Sequence, residues 1–192
     1  MKKCIRTRVV FLLLFCYLFF PFSAFAQTVN IESANNRTAM RCLDLSRGYL
    51  LKKEWQKAFD QAEFGLNYTS DIADLWYIKA TALKQLKMPI ADISKPLQKA
   101  VLSNNWVYWN RDSARLMLAE IYVKTGQSPA CLELLNTAPE LALREAQYLR
   151  AQALYNIGDV LKARAFIAVT ASIYPDDSRF PMLFFTRELM RP

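Results

Sequence analysis

The chain has 192 residues, a length that suits one domain, and its 53% hydrophobic and 22% charged content is enough for a packed core. Histidine is absent, so histidine-dependent catalytic triads and histidine-containing zinc sites are excluded, although carboxylate, lysine or tyrosine chemistry is not. Only four glycines are present, too few for the tight turns of a sheet protein, and half of the net charge of +8 lies at the start of the chain.

Residues 1–26 read as a secretory signal peptide. Lys2, Lys3, Arg6 and Arg8 make a positive start, Val9 to Phe20 is an unbroken apolar run, and Ala24-Phe25-Ala26 supplies small residues for cleavage before Gln27. Two alternatives stand beside it. Residues 9–26 are just long enough to remain as an inner-membrane anchor, and Cys16 could mark a lipoprotein signal, which the preceding Phe15 argues against. Of the 25 Lys and Arg residues, four lie in this segment, which leaves 21 against 17 Asp and Glu, a net +4. That mild charge gives no support to a nucleic-acid partner. Export to the periplasm is the expected location, with membrane contact only if the signal segment is retained. Cys42 and Cys131 then remain; a disulfide is permitted, but two buried thiols are the plainer reading.

Residues 27–37 are polar and read as a flexible leader. From residue 38 onward a repeat emerges. Ser46, Ala80, Ala119 and Ala151 are each followed three positions later by a large residue, at spacings of 34, 39 and 32. Downstream of the first lie Trp55, Ala58, Ala62 and Gly65-Leu66. In the third copy Thr125-Gly126-Gln127 makes the turn before Cys131, Leu135 and Ala138. In the fourth, Gly158-Asp159 precedes Ala163, Ile167, Ala171 and Tyr174-Pro175. Small side chains at fixed positions let two helices approach closely, large ones fill the adjoining grooves, and glycine supplies a left-handed helix end.

This pattern resembles the tetratricopeptide repeat (TPR) family, most strongly at Leu154-Tyr155-Asn156-Ile157-Gly158-Asp159 and Tyr174-Pro175-Asp176-Asp177. The resemblance implies an all-α, TPR-type right-handed superhelical solenoid of antiparallel helix pairs. Repeats are expected over 38–71, 72–105, 111–143 and 144–177, with a C-terminal capping helix over 178–190, all within one domain spanning 38–192. The second copy departs from the family: Lys87-Met88-Pro89 replaces the usual glycine turn, and Pro96 falls inside the following helix, where it should introduce a kink. An insert, Asn104 to Asn110, separates the second and third copies.

The sequence holds no glycine-rich phosphate loop, no CxxC pair and no Gly-x-Ser-x-Gly elbow, so no cofactor, metal or enzymatic activity is expected. Asp176-Asp177 reads as helix-start charge. The family resemblance points instead to a groove lined by the first helix of each repeat. Carried onto this chain, the groove positions are Met40, Leu43, Arg47, Leu50 and Leu51; Asp74, Tyr77, Thr81, Lys84 and Gln85; Ser113, Leu116, Glu120, Val123 and Lys124; and Glu145, Tyr148, Gln152, Tyr155 and Asn156. Arg47, Tyr77, Thr81, Lys84, Glu120, Lys124, Tyr148, Gln152, Tyr155 and Asn156 are the expected contacts for a protein or peptide of unknown identity. Trp106, Tyr108 and Trp109 in the insert form an alternative contact site, because Trp106 and Trp109 would share a face if the insert were helical. An exported scaffold or adaptor is the leading functional expectation. The alternative is a carrier of a small ligand or lipid fragment in an apolar pocket at Met40, Leu43, Leu50 and Leu51.

Overall fold

The computed structural model describes residues 31–138, 144–180 and 182–183; the signal segment expected over 1–26 lies outside them. Eight helices follow one another along the described chain. Helix α1 covers residues 31–51, α2 Trp55–Leu66, α3 Ala73–Gln85, α4 Ile90–Leu102, α5 Arg111–Lys124, α6 Ser128–Asn136, α7 Arg144–Asn156 and α8 Val160–Ile173. Each helix packs on the next, and α5 also packs on α7, the stacking that a row of helix pairs produces. Among the described residues β pairing is confined to one isolated parallel bridge between Ile72 and Asn105.

The repeat register sets the packing. Ser46, Ala80, Ala119 and Ala151 are all fully buried, which is what a close crossing of two helix backbones demands. Ala80 sits among Ile93, Leu97 and Ala100 of α4 and Ala114 and Leu118 of α5. Ala119 meets Cys131 and Leu135 of α6 and Ala146, Leu149 and Ala153 of α7. Ala151 meets Ala163 and Ile167 of α8. Every cluster thus spans two neighbouring pairs or one pair and its cap, so the core is a continuous strip along the stack. The guanidinium of Arg150, itself buried, donates to the carbonyls of Leu135 at 2.9 Å and Ala138 at 3.0 Å, tying the end of the third pair to the fourth.

The turns within the pairs share a left-handed residue. Gly126 has φ +75° and Gly158 φ +87°, as their places after α5 and α7 require. The first two pairs use lysine for the same purpose, Lys53 at φ 60° and Lys87 at φ 57°. The missing glycine of the second copy therefore leaves the turn geometry unchanged and moves the strain onto a lysine backbone. Helix α4 runs from Ile90 to Leu102 through Pro96, which is buried in the packing face. Asn110 caps α5 by accepting from the Ser113 amide at 2.9 Å, and Asp159 caps α8 by accepting from the Lys162 amide at 3.3 Å.

Two boundaries are corrected. Residues 31–37, expected to belong to a flexible leader, are already helical. Once the buried face beginning at Ala39 has nucleated α1, further turns add at little cost, and Arg37 and Thr38 donate to the carbonyls of Ser33 and Ala34 one turn back. At the other end, only the start of the expected cap is described, with residues 179, 180, 182 and 183 helical. Phe180 is fully buried there against Ala151, Tyr155, Ala163 and Ile167, with Leu183 beside it. Cys42 and Cys131 are buried free thiols in different clusters, and burial pushes the Cys131 thiol up to about 11.

Candidate functional site

The first helices of the four pairs, α1, α3, α5 and α7, carry the expected groove positions, and the structure divides those positions into two unlike halves. Over α1 and α3 the groove is filled by the chain itself. The insert between α4 and α5 is not helical but a bent strap, fixed by backbone contacts. The Ala73 amide donates to the Asn105 carbonyl at 2.9 Å, and the Ser103 hydroxyl donates to the Asp71 carbonyl at 2.7 Å. Asp74, in the first turn of α3, is completely buried and accepts the backbone amides of Val107 at 2.7 Å, Tyr108 at 2.9 Å and Trp109 at 2.9 Å. A buried carboxylate is tolerated where hydrogen bonds of this kind replace its water, and the α3 N-terminus favours its charge.

The strap's side chains then close over the groove. The Tyr77 ring lies 5.6 Å from Trp109 and 6.2 Å from Trp106. Tyr108 donates its hydroxyl to Asp44, and the Arg47 guanidinium stacks 4.3 Å above its ring. The hydrogen bond to Asp44 and burial together raise the Tyr108 phenol above its usual range. Trp106 and Trp109 are only half-buried but pack into different core clusters, and Tyr108 is 43% exposed. The proposed helical face shared by the two tryptophans is thus corrected: they converge because the strap bends around Asp74, with Tyr77 between them. Sequence reasoning treated Tyr77 and the insert as alternative sites, whereas they touch.

Over α3, α5 and α7 the groove is open. A cleft of about 540 Å³ is lined by Lys84, Leu116, Met117, Glu120, Val123, Lys124, Glu145, Tyr148, Leu149, Gln152 and Arg179. Its floor is apolar. On one wall Glu120 binds two ammonium groups at once, Lys84 at 2.8 Å through one oxygen and Lys124 at 2.6 Å through the other. Burial alone would raise the Glu120 carboxyl, but the hydrogen bonds from Lys124 and Lys84 outweigh it and hold it below the ordinary carboxylate range. On the other wall Arg179 stacks 4.9 Å from the Tyr148 ring and reaches Glu145 at 3.4 Å. Arg179 is held in place by Asp177, which accepts from it at 2.7 Å and lies 3.7 Å from Arg144.

Five of the expected contacts, Lys84, Glu120, Lys124, Tyr148 and Gln152, therefore line one cleft. Arg47 and Tyr77 are engaged with the strap, and Thr81 returns its hydroxyl to the Tyr77 carbonyl at 2.8 Å. Asn156 is exposed at the end of α7, outside the cleft. Tyr155 is a correction. It is 5% exposed and packs with Ala151, Ala163, Ile167 and Phe180. Seven residues place it on the same helix face as Tyr148, as expected, but the turn carrying Phe180 covers that face: Tyr148 meets the Phe180 ring edge at 6.0 Å and Tyr155 lies beneath. The apolar pocket expected at Met40, Leu43, Leu50 and Leu51 is also corrected. Leu43 is fully buried, Met40 and Leu50 pack against the core, and Leu51 alone of the four stands out, 71% exposed. Arg179 was missed because it follows the repeats; its signal was an arginine two residues after Asp177, which begins the cap. Among the described residues no group of three or more Cys, Asp or Glu side chains is gathered in a way that could hold a metal.

No family model matches the chain. A protein of Treponema pallidum (strain Nichols), described only as uncharacterized, is 35% identical over 144 residues, which is 74% of this chain but 18% of that protein. The chain thus spans about a fifth of the length of the curated relative it matches. Among solved structures, YrrB, described as a TPR protein with an unusual peptide-binding site, superposes with a TM-score of 0.62 at 19% identity, covering 84% of this chain and 87% of YrrB. The fold is accordingly that of a TPR protein, an all-α solenoid of antiparallel helix pairs.

Proposed function

We propose that this chain is a scaffold of the bacterial cell envelope, exported by residues 1–26 and holding a protein or peptide partner in the cleft between α3, α5 and α7. The observation that carries the reading is the cleft itself: an apolar floor bordered by charged and hydrogen-bonding side chains on the first helices, left open while the strap occupies the rest of the groove. Such a mixture suits docking of a segment whose apolar side chains enter and whose backbone stays near polar walls. The described peptide-binding site of YrrB, which has the same fold, supports this class of partner. No catalytic step is assigned to the cleft.

A photocrosslinking residue placed at Gln152 tests the reading in cells that express the full chain. The expected result is a discrete adduct that disappears when the probe is moved to exposed Gln56 on α2, away from the cleft. Adducts formed equally from Gln56, or only from Tyr108 on the strap, would move the partner to another surface. N-terminal sequencing of the recovered protein tests export: the expected first residue is Gln27, and an intact Met1 in the membrane fraction would establish an anchor instead.

A further inference from the structure

The cleft has a surplus of positive charge at one end, and its geometry constrains what a partner brings. Lys84 lies in the last turn of α3 and Lys124 in the last turn of α5, and both turn onto the same carboxylate, Glu120. Two ammonium groups share one carboxylate, each spending one of its three donors on it. Lys124 remains 62% exposed at its side chain, so its remaining donors face the open mouth. Glu145 and Arg179 stand on the opposite wall and offset each other. The lining of the cleft thus sums to three cations against two carboxylates, with the excess at the Lys84–Lys124 end. Between the charged ends, Leu116, Met117, Val123 and Leu149 leave an apolar floor with Tyr148 at its side.

We propose that the cleft selects an acidic, apolar peptide segment: a large apolar side chain on the Leu116–Leu149 floor, with a neighbouring Asp or Glu carboxylate placed between Lys84 and Lys124. That carboxylate completes a cluster of two lysines and two carboxylates. Its pairs are charge-assisted and border an apolar surface, where they count for more than in open water. A basic segment meets Lys84, Lys124 and Arg179 and gains only exposed Glu145. The proposal rests on the groove reading above and adds the charge and character of the partner.

The test is selection of a random-heptapeptide phage library on the full chain. The counter-selection uses a Gln152→Cys variant in a Cys4→Ser/Cys16→Ser background, labelled with a bulky maleimide that fills the cleft; buried Cys42 and Cys131 do not compete for the label, and the unlabelled variant controls for folding. The expected outcome is enrichment of peptides that pair an aromatic or branched residue with an adjacent Asp or Glu. Their affinity should fall about tenfold or more in Lys84→Glu/Lys124→Glu and weaken with added salt. Neutral or basic peptides that still need the open cleft would overturn the acidic assignment and leave the groove reading standing. Equal enrichment on the open and the filled protein would overturn the groove reading, and this inference with it.

Discussion

At Lys87 the backbone is left-handed, φ 57°, in a turn that the third and fourth pairs build with glycine. A side chain there pushes Cβ toward the following carbonyl, at a cost on the order of 1 kcal/mol. Lys87→Gly should therefore stabilise the protein by about 0.5 kcal/mol or slightly more, since glycine also loses more backbone freedom on folding. A higher melting temperature checks this, and Gly158→Ala should shift it the other way. Gly65 presents a different constraint. A Cβ added there would lie 2.9 Å from the Cys42 Cβ and 3.1 Å from a Leu75 methyl. Gly65→Ala gains up to about 1 kcal/mol of helix propensity, but overpacking of this kind costs about 1–3 kcal/mol. The expected net result is destabilisation, read as an earlier midpoint in urea. Asp177 adds a pH dependence. Its hydrogen bonds from Arg179 hold its carboxyl below the ordinary range. The stability it gives is therefore present above its unfolded pKa of about 4 and is lost as pH falls through the lowered folded value. The melting-temperature gap between the parent protein and Asp177→Asn should be largest near about pH 6 and narrow as the pH falls below about 4.

Among the elements, the strap 104–110 depends most on a single side chain. Asp74 is fully buried and accepts three strap amides, so Asp74→Ala leaves three donors without their carboxylate. Hydrogen bonds to a charged group contribute about 1.5–3 kcal/mol each where the site stays dry. The strap can lift into water, which limits the loss to about 2–3 kcal/mol. The expected signature is local: Trp106 and Trp109 leave Tyr77, tryptophan emission shifts to the red, and the helical circular dichroism signal is retained. A variant that unfolds altogether would show that the strap is needed by the helix stack, and one with unchanged emission would show that the aromatic contacts hold the strap without Asp74. The short cap works by similar means, with Phe180 filling the space beside Ala151 and Asp177 fixing Arg179 over Tyr148.

At the scale of the whole molecule, stability is distributed along the stack, because the described helices pack chiefly on their neighbours. Ala151→Leu enlarges a fully buried residue between α7, α8 and the Phe180 turn and should cost about 1–3 kcal/mol. The loss should be confined mainly to the fourth pair. Hydrogen exchange should accelerate in α7 and α8 and change little in α2 and α3, and uniform acceleration would show that the stack unfolds as one unit. The repeat itself was legible in the chain because each helix crossing requires a small residue, and Ser46, Ala80, Ala119 and Ala151 supply one per pair even though lysine replaces glycine in two turns and an insert lengthens one spacing. The sequence by itself therefore determined the helix pairs and their order, which follow from local periodicity and side-chain size. The covering of Tyr155 by Phe180, the lost pocket at Leu43 and the splitting of the groove were decided by tertiary structure alone. Each depends on residues far apart in the chain, as Asp74 and Trp109 or Lys84 and Glu120 are, and no periodicity encodes which distant side chain will take a buried carboxylate's hydrogen bonds or cover a helix face.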